Sequence, residues 1–274
     1  MKISVIFTTY NSPSWLEKVL WGWENQTDKD FEVVIADDGS SSETAELIDT
    51  FINRNKLDIK HIWQKDEGFQ KCQILNKALL DASGEYIVMS DGDCIPRSDF
   101  LSAHRSHAQK GYFLSGGYFK LPMSISEKVT KGDIVSGRCF EATWLKQQGL
   151  KLGFRAAKLN SGPIQASILN TLIPTRKTWN GHNASCYKKD AFRVNGFDER
   201  MKYGGLDAEF GGRLENAGLK VKRIRYNAIC LHLDHGRGYA NQEDIARNQV
   251  IRSTSLAEKL VETPAGIKQH QTGK

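Results

Sequence analysis

Apolar and polar positions switch repeatedly between a strand-like and a helix-like pattern over the first part of the chain. Short apolar runs at Ile3 to Thr8, Phe31 to Ala36, Ile59 to Trp63, Tyr86 to Met89 and Tyr112 to Ser115 predict strands. Between them lie longer amphipathic stretches that predict helices at Pro13 to Glu24, Glu43 to Asn53, Gln70 to Leu80 and Asp99 to Gln109. Ser12 with Pro13 at the first helical position, and Ser42 ahead of Glu43, supply helix-start signals. Ala45, Leu47, Ile48, Phe51 and Ile52 form the apolar side of the second helix. Strands alternating with helices imply a mostly parallel sheet with helices on both faces.

From Phe119 to Thr178 the period is lost, and Pro122, Pro163 and Pro174 interrupt the stretch. It predicts helices and loops at the rim of the sheet, within the same domain. Order returns at Trp179 to Ser185, then at a turn carrying Phe197 (Asn195 to Glu199). A helix follows from Leu206 to Ala217, closed by Gly218, with short strands at Val221 to Ile224 and Ala228 to Leu231. The sequence after Asn241 predicts a polar helix with frayed last residues. The expected organisation is one large α/β domain: residues 1–118, residues 119–240 as the second half of the same domain, and a helical tail over 241–274.

Composition narrows the class. The chain has 274 residues, 39% hydrophobic and 26% charged, enough for a core that needs no disulfide staples. Five scattered cysteines without Cys-x-x-Cys spacing argue against a disulfide framework or a zinc cluster and for a reducing compartment. No window resembles a membrane span and the first strand leaves no room for a signal peptide, so a cytoplasmic protein is expected. The net charge of +6 gathers in Lys146 to Lys158, Arg176 to Lys189 and Lys220 to Arg225. It suits phosphorylated ligands or peripheral contact with an anionic membrane surface. No nucleic-acid module is present, and aromatics do not interleave with the basic residues.

The chemistry concentrates at strand ends. Ile87 to Asp93 runs an apolar strand into Asp91-Gly92-Asp93, two oxygen ligands separated by a glycine that lets a ligand near the backbone. The same tripeptide also makes a good turn. Thr8-Thr9 and Asp37-Asp38 end two further strands. Three polar strand ends side by side describe the mouth of a nucleotide site, although each Asp or Ser also suits helix capping.

Taken in order, Val5-Ile6-Phe7-Thr8-Thr9-Tyr10-Asn11, Ala36-Asp37-Asp38-Gly39-Ser40, Asp91-Gly92-Asp93, Gly196-Phe197-Asp198-Glu199 and Tyr203 to Phe210 resemble glycosyltransferase family 2. The distal half is similar to its galactosyltransferase and chondroitin-polymerase branch. The resemblance implies the GT-A fold and inverting, metal-dependent transfer of a hexose or N-acetylhexosamine. The donor would be a UDP-sugar and the acceptor a glycan or glycolipid, as in lipopolysaccharide or capsule synthesis.

It further implies that Asp38 meets the uracil and that Thr8 and Tyr10 line the base and ribose. Asp91 and Asp93 would meet the ribose and an Mn²⁺ or Mg²⁺ ion, Asp93 more directly. A histidine at Ile229 to His235 supplies a third ligand, His232 or its rival His235, unless both simply pack at a strand end. Asp207 aligns with the base that takes the acceptor proton, with Glu209 as its backup; an N-cap role for Asp207 is the plain alternative. Gly181 and Asn183 would flank the donor sugar, and Trp144 and Trp179 would stack on acceptor sugars or sit in the core. Two departures stand out. Leu206 replaces a glutamate of the branch. Leu75 replaces an arginine near the diphosphate, a charge left to Lys71 or Lys77. The rivals are a sugar nucleotidyltransferase, whose glycine-rich loop after the first strand is missing here, and an inactive glycan-binding homologue.

Overall fold

The computed structural model describes residues 1–153, 156–173, 178–236 and 241–271. Pro174, and the basic-stretch members Arg155 and Arg176, lie outside the described residues. Among those described there are ten strands: β1 (Ile3–Thr9), β2 (Phe31–Asp37), β3 (Ile59–Trp63), β4 (Tyr86–Asp91), β5 (Cys94–Pro96), β6 (Tyr112–Ser115), β7 (Gly117–Lys120), β8 (Ala184–Tyr187), β9 (Lys220–Arg223) and β10 (Ile229–His232).

Seven strands form the main sheet in the order β3-β2-β1-β4-β8-β6-β9. The first four are parallel, β8 runs antiparallel between β4 and β6, and β9 returns parallel to β6. A smaller sheet places β10 between antiparallel β5 and parallel β7.

Alternation along β1 splits the core into two layers, because successive side chains of a strand point to opposite faces. Ile3, Val5 and Phe7 face α1 (Pro13–Glu24), through Leu16, Val19 and Trp23, and α2 (Ser42–Asn53), through Ile48 and Phe51. Ile6 faces α3 (Lys71–Asp81), through Ile74, Ala78 and Leu79. Helix α4 (Phe100–His107) adds Phe100 and Leu101 to the first layer. The aperiodic middle joins that same layer: Ile125, Ile134, Phe140 and Leu145 are all buried in it. The helix Leu206–Asn216 adds Phe210 and Leu214 to the second.

Some expectations need correction. Ser42 is the first residue of α2 rather than its cap, and neither Ser12 nor Ser41 caps through its side chain. Strands β5 and β7 are absent from the sequence pattern. At three and four residues they carry no readable period, and their partner β10 is distant in sequence. The chain end is docked rather than frayed as far as residue 271. Ile267 is buried in the second layer, Lys268 N donates to Asn195 Oδ1 at 2.9 Å, and His270 pairs with Glu199 at 2.6 Å. Residues 272–274 lie outside the described residues.

Candidate active site

Register brings the three polar strand ends together. Thr8 on β1 lies beside Asp91 on β4, and Thr9 beside Asp37 on β2, all at the carboxyl edge of the parallel strands. There the helix Leu206–Asn216 and the end of β10 close a cleft of about 580 Å³. Thr8, Tyr10, Asp38, Lys71, Asp91, Asp93, Asp207, His232 and His235 all line it.

At one end, the paired aspartates divide their work. Asp37 is fully buried, held by His61 at 2.9 Å and the Ser40 amide at 2.8 Å. Asp38 turns to the cleft, where Gln64 Nε2 (2.6 Å) and the Gln70 amide (2.9 Å) donate to its two oxygens. Burial raises its carboxyl above the ordinary value despite those donors. The Tyr10 hydroxyl donates to Asp66 at 2.9 Å across the same end.

In the middle, Asp91 and Asp93 diverge. Lys71 Nζ binds Asp91 Oδ1 at 2.7 Å. Gly92 is required by the close approach of β1: a Cβ there would lie 2.7 Å from the Thr8 carbonyl oxygen, which already accepts from the Gly92 amide. The glycine therefore admits a neighbouring strand rather than a ligand.

Asp93 instead meets the histidines. His235 Nε2 lies 3.0 Å from Asp93 Oδ2 and His232 Nε2 lies 3.9 Å from Oδ1. His232 Nδ1 lies 2.8 Å from the Leu233 carbonyl and His235 Nδ1 lies 2.8 Å from the Gly236 carbonyl. A carbonyl only accepts, so each Nδ1 carries a hydrogen, and each Nε2 is left beside the carboxylate to hold either a proton or a lone pair that can ligate a cation. The two Nε2 atoms face different oxygens of one carboxylate, and a proton or a cation can sit between each of them and it. One carboxylate and two Nε2 atoms, each imidazole fixed through its other nitrogen, form a donor set that suits Mn²⁺ better than the oxygen-seeking Mg²⁺.

Burial opposes ionisation of Asp93, but the hydrogen bond from His235 and the two imidazoles outweigh it and hold the carboxyl at about 2. Cys94 Sγ also lies near this cluster. Burial pushes its thiol pKa well up, so it stays protonated and donates to Asp93 Oδ1 at 3.4 Å. Asp91, held by Lys71, is not part of the cluster.

At the other end, Gly204 and Gly205 (φ 104° and 80°) turn the chain into the Leu206–Asn216 helix. Asp207 sits in its first turn. Its Oδ1 is buried and has no hydrogen-bond partner. Burial lifts its pKa to about 6, with Lys71 pulling it down and Asp91 pushing it up. A carboxylate with an unused buried oxygen and a pKa near neutrality is suited to accept a proton. Asn248, on the Gln242–Ala257 helix, donates to the carbonyls of Lys202, Tyr203 and Gly204 at 2.9, 3.1 and 2.8 Å, bracing the turn before Asp207.

Three expected site residues lie elsewhere. Glu209 is locked in a buried ion pair with Arg213 (2.7 and 2.8 Å) and accepts from Ser255, which leaves it no access to a substrate. Asn183 is fully buried and ties the two sheets together through the carbonyls of Gly117 and Ala228 and through His104. Lys77 donates to Gln64 Oε1 at 3.0 Å, so it supports the residue that holds Asp38 without reaching the cleft. Trp144 and Trp179 are buried core residues rather than stacking platforms. Leu75 is likewise core, while Leu206 packs inward and also lines the cleft.

His182 lines the cleft without having been singled out in the sequence. It stands edge-on to Tyr118 at 4.5 Å, and burial lowers its pKa to about 4, so it is neutral at pH 7. Only its place after Gly181 hinted at this.

The chain is similar to known proteins over most of its length. The model of glycosyl transferase family 2 matches residues 4–155, and that of the N-terminal domain of galactosyltransferase matches residues 173–236. Chondroitin synthase of Escherichia coli is 26% identical over 94% of this chain and 38% of its own length. Hyaluronan synthase of Pasteurella multocida is 39% identical over 94% of this chain and 27% of its own. The chain thus spans well under half the length of these curated relatives. The crystal structure of GalNAc-T7 with UDP, GalNAc and Mn²⁺ superposes with a TM-score of 0.62 at 14% identity, covering 94% of this chain and 49% of that one.

Proposed function

The chain belongs to glycosyltransferase family 2 and has the GT-A fold, and from that premise we propose that it transfers a hexose or N-acetylhexosamine from a UDP-sugar to a glycan acceptor, with inversion and with help from a divalent cation. The observation that carries this reading is the single cleft in which Asp38, the Asp93–His232–His235 donor set and Asp207 face one another.

In this reading Asp38 pairs with the uracil while Thr8 and Tyr10 line the nucleoside. Lys71 lies beside Asp91, where the diphosphate of a donor would pass. Asp93, His232 and His235 would hold Mn²⁺ or Mg²⁺. A bound cation there would neutralise charge developing on the leaving diphosphate. Asp207 Oδ1 accepts the proton of the acceptor hydroxyl as that oxygen attacks the anomeric carbon from the face opposite the diphosphate. Its pKa near 6 leaves it ionised at neutral pH yet basic enough to share the proton in the transition state. The polysaccharide synthases among its relatives favour a growing glycan as acceptor.

The test is nucleotide release from a panel of UDP-hexoses and UDP-N-acetylhexosamines, with and without Mn²⁺, for wild type and Asp93→Asn. The expected result is metal-stimulated release with at least one donor, lost in the variant. No release with any donor, or release indifferent to metal and to Asp93, would end this reading.

A further inference from the structure

One surface feature stands outside the cleft chemistry. The helix Pro163–Leu172 leaves Ile164, Ile168 and Leu172 at 80%, 50% and 71% exposure. Spaced by four residues, they form one continuous apolar stripe along the outside of the helix. The opposite side is what fixes the helix in place. Ala166 is buried, Asn170 bonds Asn227 Oδ1 at 2.6 Å and accepts from the Tyr226 amide, and Arg223 donates to the Ile173 carbonyl at 3.1 Å. One face of this helix is thus committed to the protein, and the other is left apolar and exposed.

Charge bears on what meets that face. From Ala142 through Tyr187 the sequence contains no Asp or Glu, while Lys146, Lys151, Arg155, Lys158, Arg176 and Lys177 supply six cations. Asp99 is held by Arg97, which also donates to the Leu159 carbonyl. The helix itself carries no charge, and the stretch that flanks its apolar stripe in the sequence carries cations without carboxylates, a combination suited to the interface of an anionic bilayer. Three aliphatic side chains on a ten-residue helix are too little area for a stable protein–protein interface, which needs roughly 800 Å² per partner. No described helix is long and apolar enough to cross a membrane.

The helix is also placed usefully. Met89, Ala184, Ser115 and Arg223 form one row across the sheet. Arg223, which clamps the helix, thus sits at the same edge as Asp91 and the cleft. We infer that the Pro163–Leu172 helix docks this protein on an anionic lipid surface, with the cleft at the sheet edge that carries the docking helix. This goes beyond the transfer reaction and holds whichever sugar the cleft takes.

Flotation of the full chain with vesicles of phosphatidylglycerol and phosphatidylethanolamine, against vesicles of phosphatidylcholine alone, tests it. Wild type is expected to float with the anionic vesicles, less so in high salt, and weakly with the neutral ones. The combined variant Ile164→Ser, Ile168→Ser, Leu172→Ser should lose at least about tenfold in partitioning. Its circular dichroism and melting should stay those of wild type, because the three side chains are exposed. The inference is overturned if wild type ignores anionic vesicles or if the variant partitions equally well. It also fails if the stripe instead drives self-association without lipid in sedimentation velocity, which would make a second copy the occupant.

Discussion

Gly181 and Asp207 touch: a Cβ built on Gly181 would lie 2.5 Å from Asp207 Oδ1, the oxygen left without a hydrogen-bond partner. The absence of a side chain at 181 is what leaves this carboxylate room in its present rotamer. Gly181→Ala should therefore displace the base without unfolding anything. The expected outcome is a fall in kcat of about tenfold or more, with KM for the donor and the melting temperature little changed. A loss confined to donor binding would place Gly181 beside the sugar instead.

Asp207 itself makes an opposed pair of predictions. Asp207→Asn should lower kcat by about 10² to 10⁴. In wild type, kcat should rise with pH through an acid limb near 6, as the carboxyl loses its proton. Stability should move the other way. The folded pKa lies above the ordinary 3.8, so the stabilising contribution of this group is complete below that value and lost as pH rises through about 6. At about pH 8 the amide variant should then be more stable than wild type by about 3 kcal/mol, a gain that disappears below about pH 4. Denaturant melts at the two pH values check it; an Asn variant that is less stable at both would refute the burial argument.

The donor set at Asp93 predicts a ligand effect independent of turnover. Mn²⁺ together with UDP should raise the melting temperature of wild type, since whatever binds the native state stabilises it. Asp93→Asn and His232→Ala should abolish that rise, and chelator should reverse it in wild type. His235→Ala measures the share of the second imidazole, which at 3.0 Å stands nearer to Asp93 than His232 does at 3.9 Å. A rise undiminished in Asp93→Asn would move the cation elsewhere.

Glu209 separates fold from chemistry. Its partner Arg213 is fully buried, so Glu209→Gln strands an uncompensated cation and should cost about 3–5 kcal/mol. The fraction that remains folded should turn over at nearly the wild-type rate. A hundredfold drop in kcat at unchanged stability would instead make Glu209 the base.

The part of the site that the sequence announced is the part fixed by local chain direction. Asp38, Asp91 and Asp93 follow directly on parallel strands, so once the strands were read the side chains had to gather at one edge. Asp207 was readable through the resemblance of its segment to the family's, at the start of a helix after two glycines. What stayed hidden depends on contacts between distant segments. Asn183 has the composition of a ligand-binding loop, but the pairing of β7 with β10 supplies the carbonyls that capture it. Glu209 carries the right functional group, and only its position one helical turn from Arg213, inside the core, removes it from the chemistry. Gly92 reads as room for a ligand until β1 is seen to occupy that room.

The carboxamide of Asn248 has a consequence for motion. It grips three successive carbonyls immediately upstream of the reactive helix, from an element that contributes nothing to the nucleotide end. Slow opening of the Gln242–Ala257 helix, visible as hydrogen exchange, is thereby coupled to slack at Asp207 and not at Asp38, so a loosened final helix would leave donor affinity intact while the turnover number drifts.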